Sequence, residues 1–356
     1  MSRIDLSRTL QLSPATLTRQ VQPLIEQGVL VETGEHIAGQ TGRPARLLDV
    51  ATGNQYFVGV KLTDRRVSAV LTDLRAEIIA SCVRELPSHA ADDAAETISQ
   101  CVRDLVDDTG STPVRIGIGL GGTSPDNRMV SSAPFLGWTG VDLASAVEAH
   151  TNTPTLVEND VTAFMEYQNW FGEGAGTSQF AAITIGAGVG YGLVMDRRVI
   201  VTRDSSVGLV GHWPLDPLGP LCPSGHRGCA MSILTRYALE QRASEVLGRP
   251  STLEEFLEQC NEHTGLRSVA AYTARMLGHL VAAVANLTMA EVIVLGGEGI
   301  DVISHATDEL RAGVLEHRDP RAGEVRLALT DGDDTVWCRG AAAIAIQAHV
   351  LGGNEI

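Results

Sequence analysis

The residues with the most evident chemistry lie on a short predicted helix near the N-terminus. Thr16, Arg19 and Gln20 carry short or forked polar groups of the kind that hydrogen-bond to base edges and phosphates. Leu17 and Val21 fall on the opposite face, at the spacing of an amphipathic helix. The pattern therefore predicts a helix that buries one face and offers the other to DNA.

Local signals place the start of this helix and a partner helix before it. Ser13 can cap the helix, and Pro14 suits its first turn, where no N–H is needed. A helix over residues 4–10 and a turn at Gln11–Leu12 would complete a helix-turn-helix. Pro23 lies within the second helix, and we expect it to remove a backbone hydrogen bond and bend the helix.

A two-stranded wing is predicted to follow. Its strands are Val29–Glu32 and Arg46–Asp49, and Arg43 in the G-R-P turn between them could enter a minor groove. Residues 1–50 are therefore predicted to form a winged helix-turn-helix that contacts DNA through Ser13, Thr16, Thr18, Arg19 and Arg43. The alternative is a plain helical hairpin, because short patterns of this kind also arise by chance. The segment lacks the first helix that closes the core of such a domain, so either a further helix lies upstream or the DNA-reading segment is incomplete.

The whole chain is acidic, with a formal net charge of −16. Such a protein repels nucleic acid overall, so any DNA contact must be local. Its six cysteines are scattered, which argues against a disulfide framework. The longest apolar stretch, 180–195, is interrupted by glycine and too short to span a bilayer, and the polar start lacks a signal peptide's apolar segment. We therefore expect a cytoplasmic protein with no membrane partner.

After a turn-rich joint at 51–55, apolar strands alternate with amphipathic helices, which is the pattern of an α/β fold. The predicted strands cover 57–60, 67–72, 114–120, 155–157, 181–185, 190–195 and 292–295. The predicted helices cover 94–108, 143–150, a segment from 161, 269–289 and 341–350.

The order of these motifs resembles the ROK family of repressors, open reading frames and kinases. The N-terminal S-P-A-T-L-T-R, G-V-L-V-E and G-R-P segments look like its regulator branch, and the resemblance covers essentially the whole chain. It implies two actin-like (ribonuclease H-like) α/β lobes around a cleft, assembled as a homodimer or a larger homo-oligomer. We expect a small lobe over 55–158 with 338–356 and a large lobe over 159–337.

The resemblance identifies a degenerate phosphate-binding hairpin. Kinases of the family carry D-x-G-G-T there, in which the Asp handles metal and the glycines let backbone amides approach phosphate. Here Lys61 replaces the Asp, and Thr63 and Asp64 replace glycines. We therefore expect no ATP binding and no enzyme activity, although the loop 185–190 and the Gly296–Gly297 turn keep their glycines.

The family's catalytic base lies in an E-N-D turn after a strand, which Glu158–Asn159–Asp160 matches. By resemblance, Glu158, Asn159, Asp160 and His212 are candidate ligand-binding residues, with Asp160 in the position that would accept a sugar hydroxyl proton. The structural alternative for Asp160 is a helix cap.

The family's metal motif reads G-E-x-G-H and then C-x-C-G-x-x-G-C-x-E, and it binds a structural Zn²⁺ through one His and three Cys. His212, Cys222 and Cys229 match three of these ligands. Ser224 replaces the middle cysteine and would be a poor ligand, whereas His226 could substitute for it. The resemblance thus implies a zinc site with a non-standard ligand set, and the alternative is that the metal is lost.

Two family glutamates that accept hydrogen bonds from sugar hydroxyls are also replaced, by Leu209 and Met231, and Phe135 replaces a sugar-side asparagine. Unpaired buried hydroxyls are costly. We therefore expect a less polar or modified sugar as the ligand, or an empty pocket.

Together these motifs favour a ROK-type DNA-binding regulator that senses a carbohydrate-derived small molecule in the interlobe cleft and binds operator DNA. One alternative is a ROK-type sugar kinase that phosphorylates a hexose from ATP with Asp160 as base. Another is a degenerate scaffold that binds neither DNA nor sugar.

Overall fold

The structure, a computed structural model, describes residues 1–36 and 45–352. The chain divides into two compact units. Unit 1 comprises Met1–Ile118, Ser124–Glu158 and Ala341–Ile356, and unit 2 comprises Gly119–Thr123 and Asn159–Gly340.

Unit 1 begins with two short helices and an antiparallel strand pair. These elements are α1 (Arg3–Thr9), α2 (Pro14–Glu26), β1 (Leu30–His36) and β2 (Ala45–Val50). Leu17 and Val21 of α2 pack with Leu48 of β2 in a small core. The two predicted helices and both predicted strands are confirmed, and α2 continues through Pro23 to Glu26.

A five-stranded sheet forms the centre of unit 1, in the order β5-β4-β3-β6-β7. Its strands are β3 (Tyr56–Leu62), β4 (Arg66–Thr72), β5 (Ile78–Glu85), β6 (Pro113–Leu120) and β7 (Thr155–Asn159), and its helices are α3 (Ala91–Thr109) and α4 (Leu143–Thr151). Helix α3 packs on β4 and β5 with its apolar face, which includes the fully buried Ile98 and Leu105.

Unit 2 contains a second five-stranded sheet with the order β10-β9-β8-β11-β12. The strands are β8 (Gln179–Ile185), β9 (Val189–Met195), β10 (Arg198–Val199), β11 (Val292–Gly296) and β12 (Arg326–Leu329). Strand β9 pairs antiparallel with both β8 and β10, whereas β11 pairs parallel with both β8 and β12. Its helices are α5 (Asp160–Trp170), α6 (Ala230–Leu234), α7 (Arg236–Leu247), α8 (Leu253–Gln259), α9 (Thr264–Thr288), α10 (Ile300–Ser304) and α11 (Thr307–Glu316), with a 3-10 helix at Leu209–His212.

The last helix, α12 (Asp334–Leu351), begins in unit 2 and ends in unit 1. In unit 1 it packs so closely on β6 that a Cβ on Gly117 would lie 1.9 Å from the backbone oxygen of Ala341. Gly117 thus allows the helix and the sheet to meet backbone to backbone.

Helix α9 is long and apolar enough to cross a membrane by length and composition alone. However, 67% of its most apolar window is buried within the protein, where Leu277, Leu280 and Val281 belong to the core of unit 2. We therefore interpret α9 as a core helix.

The predicted α/β class is confirmed, and the predicted strands from 57 to 295 all occur. Strands β5, β10 and β12 and helices α6, α7, α8, α10 and α11 have no counterpart among the predictions. Helix α9 begins at Thr264 rather than at Val269, because the ring Nδ1 of His263 accepts a hydrogen bond from Leu266 N–H at 3.4 Å and caps it.

Candidate functional site

The predicted metal ligands lie on three adjoining pieces of unit 2. His212 ends the 3-10 helix, and Cys229 is the residue that precedes α6. Cys222 opens a tight turn in which its carbonyl accepts from Gly225 N–H at 2.8 Å and its N–H donates to His226 O at 2.9 Å. This turn folds His226 back over Cys222, which explains how a histidine that is four residues away can reach the thiol.

The spacing of the ligand atoms agrees with tetrahedral coordination. Cys222 Sγ lies 3.8 Å from His212 Nδ1 and 3.7 Å from His226 Nδ1, and the two nitrogens are 3.2 Å apart. Ordinary Zn–S and Zn–N bond lengths in a tetrahedron place such atoms about 3.4–3.8 Å apart. The ligand atoms of His212, Cys222 and Cys229 also lie within 4.8 Å of one another. The residues present therefore fit a zinc ion.

The surroundings of Cys222 lower the pKa of its thiol and so favour the thiolate. Burial acts to raise its pKa, but hydrogen bonds from the backbone and ring of His226 and from the backbone of Ser224 outweigh it and lower the pKa to about 6. The thiolate is the form that binds metals. Ser224 thus contributes a backbone hydrogen bond to the thiolate, although its side chain is a poor zinc ligand.

A glycine and an aspartate hold the metal-binding loop in place. Gly228 has φ +56°, and a Cβ there would lie 1.6 Å from the carbonyl oxygen of Asp216, so only glycine fits. The Asp216 carboxylate accepts from the Tyr272 hydroxyl at 2.6 Å and from Leu218 N–H at 2.9 Å. Because Tyr272 belongs to α9, these bonds join the loop to the core of unit 2.

The E-N-D turn is built around the amide of Asn159. Its oxygen accepts from Val161 N–H at 3.0 Å and Thr162 N–H at 3.2 Å, and its nitrogen donates to Gly122 O at 2.9 Å. Both ends of this buried amide are therefore engaged in positioning the start of α5. The Asp160 carboxylate is half-buried and accepts from Val161 N–H at 2.9 Å, so it also takes part in the turn.

Glu158 is held by a residue that the sequence did not single out. Asn127 Nδ2 donates to Glu158 Oε2 at 2.8 Å, and Asn127 itself is buried with φ +56°. The nearby Ser124 hydroxyl is buried and has no hydrogen-bond partner within the described residues. In the sequence, the run S-P-D-N at 124–127 indicates a turn. It gives no sign that Asn127 contacts Glu158, which lies 31 residues further along the chain.

The N-terminal part of β9 joins the elements that carry Asp160 and His212. Val161 follows Asp160 in α5, and a Cβ on Gly190 would lie 2.7 Å from Val161 Cγ2. On the other side, a Cβ on Gly211 would lie 3.1 Å from Met231 Cε and 3.9 Å from Val189 Cβ. The start of α5 on one side, and the 3-10 helix and α6 on the other, therefore each contact the N-terminal part of β9. We use the name β9 face for the residues Asp160, Val189, Leu209, His212 and Met231 on these elements.

The side chain of Thr63 closes the turn of the hairpin between β3 and β4 by hydrogen bonds to its backbone. Thr63 Oγ1 accepts from Arg65 N–H at 3.3 Å and from Arg66 N–H at 3.1 Å, and it donates to Arg66 O at 3.0 Å. The adjacent carbonyl of Asp64 contacts the ring of His89 at 2.8 Å. Lys61 is buried in β3. Two N–H groups of this turn are therefore already used within the hairpin.

The hairpin between β8 and β9 is open by comparison. A Cβ on Gly188 would meet no atom within 4 Å, and Gly186 O accepts from Arg236 N–H at 2.9 Å. Gly297 has φ +91° and packs on the end of β8, where a Cβ would lie 2.3 Å from Ile185 O. The Gly296–Gly297 turn and the glycine hairpin thus meet at one end of the second sheet.

The predicted DNA-contacting residues lie at the start of α2. Ser13 Oγ accepts from Thr16 N–H at 3.1 Å as the cap, and Thr18 Oγ1 donates to Pro14 O at 2.9 Å. Arg19 and Gln20 are exposed, whereas Leu17 and Val21 are buried. Arg43 lies outside the described residues.

Comparisons with known proteins agree with the motifs. The sequence profile of the ROK family matches residues 57–348. The DNA-binding transcriptional dual regulator NagC of Escherichia coli is 26% identical over 312 residues, which cover 84% of this chain and 77% of NagC.

Solved structures share the fold. A ROK family transcriptional regulator described as a homologue of the E. coli MLC protein superposes with a TM-score of 0.79 at 22% identity, over 99% of this chain and 95% of that one. A ROK family glucokinase from Streptomyces griseus, in complex with glucose and AMPPNP, gives a TM-score of 0.72 at 22% identity, over 82% of this chain and 99% of the kinase. Because regulators and kinases share this architecture, the fold alone does not separate the two activities.

Proposed function

Because the chain belongs to the ROK family, we propose that it is a transcriptional regulator that binds operator DNA through α2 and senses a carbohydrate-derived small molecule through its α/β body. The regulators among its relatives support this assignment. The protein acts in the cytoplasm as a homodimer or larger homo-oligomer, and it has no membrane partner.

The proposal that α2 binds DNA rests on the contrast between its buried face and its exposed face. The helix buries Leu17 and Val21 against β2 and leaves Arg19 and Gln20 exposed on a capped N-terminal half. That arrangement suits a recognition helix in the major groove, with β1 and β2 as the wing and residues 1–50 as the reading domain. Ser13, Thr16, Thr18 and Arg19 are the proposed contacts in α2, and Arg43 is the proposed contact from the wing.

The β9 face is the proposed sensing surface. Asp160, His212, Asn159 and Glu158 are the proposed ligand-binding residues, and the Asn159 amide also positions the start of α5 that carries Asp160. Leu209 and Met231 lie on the same face, where they offer no hydrogen-bond acceptors to sugar hydroxyls. A modified or less polar sugar derivative therefore fits this surface better than an unmodified hexose. Its binding alters the spacing of the two reading domains in a dimer and so changes operator affinity.

A zinc ion would be held by His212, Cys222, Cys229 and His226. It would supply structural order to the loop beside the β9 face. The Nδ1 atom of His212 faces Cys222 and His226, which leaves Nε2 for a hydrogen bond to the ligand or to a neighbouring group.

Kinase activity is the second candidate function. Asp160 and the open hairpin at Gly188 favour it, because both are features that a phosphoryl-transfer enzyme would need. Lys61, Thr63 and Asp64 weigh against it. A magnesium-bound triphosphate requires a carboxylate and free N–H groups, whereas this hairpin offers an ammonium group and a turn closed by Thr63.

Selection of duplexes from a random DNA pool by the full chain tests the proposal. We expect one sequence class to be enriched and its retention to be lost in Arg19→Ala. Arg311→Ala is the matched control, because Arg311 is an exposed arginine on α11. No enrichment, together with ATP-dependent phosphorylation of a sugar that Asp160→Asn abolishes, would establish the kinase instead.

Metal content tests the zinc site. We expect one tightly held Zn²⁺ per chain in the thiolate site, loss of this ion in Cys222→Ser, and a reduction of its affinity by at least about tenfold in His226→Ala. Ser224→Cys should restore the affinity of His226→Ala. Unchanged zinc affinity in His226→Ala would remove His226 from the ligand set.

A further inference from the structure

A second group of metal-type ligands occurs in unit 2, on elements separate from the Cys222 loop. His279 lies on α9, Glu316 is the last residue of α11, and His317 follows it. One ligand atom from each of these residues lies within 4.8 Å of the other two. Two imidazoles and one carboxylate are a donor set that binds Zn²⁺ with a position left for water.

Close packing of two helices brings these residues together. A Cβ on Gly278 of α9 would lie 2.4 Å from Leu310 O, and a Cβ on Gly313 of α11 would lie 2.2 Å from Arg275 O. The glycines therefore let the two helices approach backbone to backbone. At this spacing the short imidazole of His279 reaches the end of α11.

The carboxylate of the group is ionised and fixed in orientation. Glu316 Oε1 accepts from Arg275 Nε at 3.0 Å, while Oε2 lies 2.7 Å from His279 Nε2. Arg275 and then His279 lower the pKa of Glu316 to about 2. Arg275 thus holds one oxygen of the carboxylate and directs the other towards the imidazole ring.

The third residue is fixed by its backbone. The carbonyl of His317 accepts from Asn286 Nδ2 at 2.9 Å, and Asn286 Oδ1 in turn accepts from Arg318 Nη1 at 3.0 Å. The His317 ring is exposed and stands edge-on to the His279 ring, with centroids 4.2 Å apart. An ion pair between Arg275 and Glu316 needs neither imidazole, so the convergence of both rings on the carboxylate has no counterpart in a simple surface salt bridge.

We propose that His279, Glu316 and His317 form a second, solvent-accessible site for a divalent transition metal, which joins α9 to α11. Imidazole and carboxylate ligands favour Zn²⁺, Ni²⁺ and Cu²⁺ over Mg²⁺ and Ca²⁺. The site is independent of the proposed sensing surface and of the thiolate ligands of the Cys222 loop.

Equilibrium dialysis of the tag-free, full-length chain against micromolar Zn²⁺, followed by metal analysis, tests this site. We expect the wild type to bind one Zn²⁺ per chain more than His317→Ala, and we expect His279→Gln to lose the same ion. His305→Ala is the matched control, because His305 is an exposed histidine elsewhere in unit 2 and should leave the stoichiometry unchanged. Equal stoichiometry and affinity in wild type and His317→Ala would overturn the proposal.

Substitution with Co²⁺ separates the two sites within one sample. The Cys222 site contains thiolates and gives sulfur-to-cobalt charge-transfer absorption, whereas the proposed site contains none. Cys222→Ser should lose that absorption and keep the ion that depends on His317. Loss of both ions in Cys222→Ser, with the fold intact by circular dichroism, would overturn the proposal of an independent second site.

Discussion

Each of the two sheets contains an antiparallel hairpin at the equivalent place in its strand order. The two turns differ because a side chain bonds the backbone of the first and the second is open. In unit 1, β3 and β4 pair antiparallel, and in unit 2, β8 and β9 do the same at the matching place in the strand order. The first turn is closed by the Thr63 hydroxyl, which accepts from Arg65 and Arg66 N–H groups. The second turn leaves open space around Gly188.

This difference shows how an architecture can be kept while its chemistry changes. Free backbone N–H groups are what a hairpin offers to phosphate. In the first hairpin an anion would have to displace a side chain that belongs to the turn. Beside the second hairpin, Gly297 packs against the backbone of Ile185, which is a structural requirement independent of any activity.

The largest expected effect concerns the packing of the second hairpin. Gly297→Ala places a Cβ 2.3 Å from Ile185 O and forces a positive φ on a non-glycine residue. We expect it to lower the free energy of unfolding by about 3 kcal/mol or more, measured by urea denaturation. Gly188→Ala is the control and should change it by less than about 0.5 kcal/mol, because its Cβ meets open space. Equal effects of the two substitutions would contradict the structural role given to Gly297.

A smaller effect is expected from the closure of the first hairpin. Thr63→Ala leaves the Arg65 and Arg66 N–H groups without their acceptor and should lower the free energy of unfolding by about 1 kcal/mol. Thr63→Ser keeps the hydroxyl and should recover most of that loss. If both variants were as stable as the wild type, the hydroxyl would not be what closes the turn.

The smallest effect is expected beside the second hairpin, where Arg236 and Glu298 form a partly exposed ion pair at 3.4 Å. Arg236→Ala and Glu298→Gln should each cost less than about 1 kcal/mol, because water and salt screen such a pair. A double-mutant cycle measured by thermal unfolding gives the coupling between them. A coupling well above 1 kcal/mol would mean that this end of the second sheet is held electrostatically rather than by its glycines.

Regular elements with strong patterns could be predicted from the sequence. The capped helix after Ser13 and the strands around the glycine hairpins occur where their residue patterns place them. Strand β5 was missed because it is an edge strand, with Ile79 and Val83 exposed and small residues between them, so it lacks a clear apolar alternation. The start of α9 was missed because a histidine caps it, and His263 does not belong to the usual capping types.

The candidate site was predictable in its residue types and not in its geometry. The sequence shows a threonine at position 63, but only the folded turn shows its hydroxyl accepting two N–H groups. Likewise, His226 lies within the metal motif in sequence, and the turn at Gly225 is what brings its ring to Cys222. Long-range pairs such as Asn127 with Glu158 depend on how the strands are placed and leave no local signal.

The most direct test of the regulator assignment is the salt dependence of binding to the selected duplex, measured by fluorescence anisotropy with the full chain. We predict saturable binding whose logarithmic affinity falls with the logarithm of salt concentration, and we predict that Arg19→Ala both weakens binding and reduces that slope by about one. Arg311→Ala should reproduce the wild-type curve. Identical affinity and slope for wild type and Arg19→Ala would contradict the assignment of α2 as the element that contacts DNA.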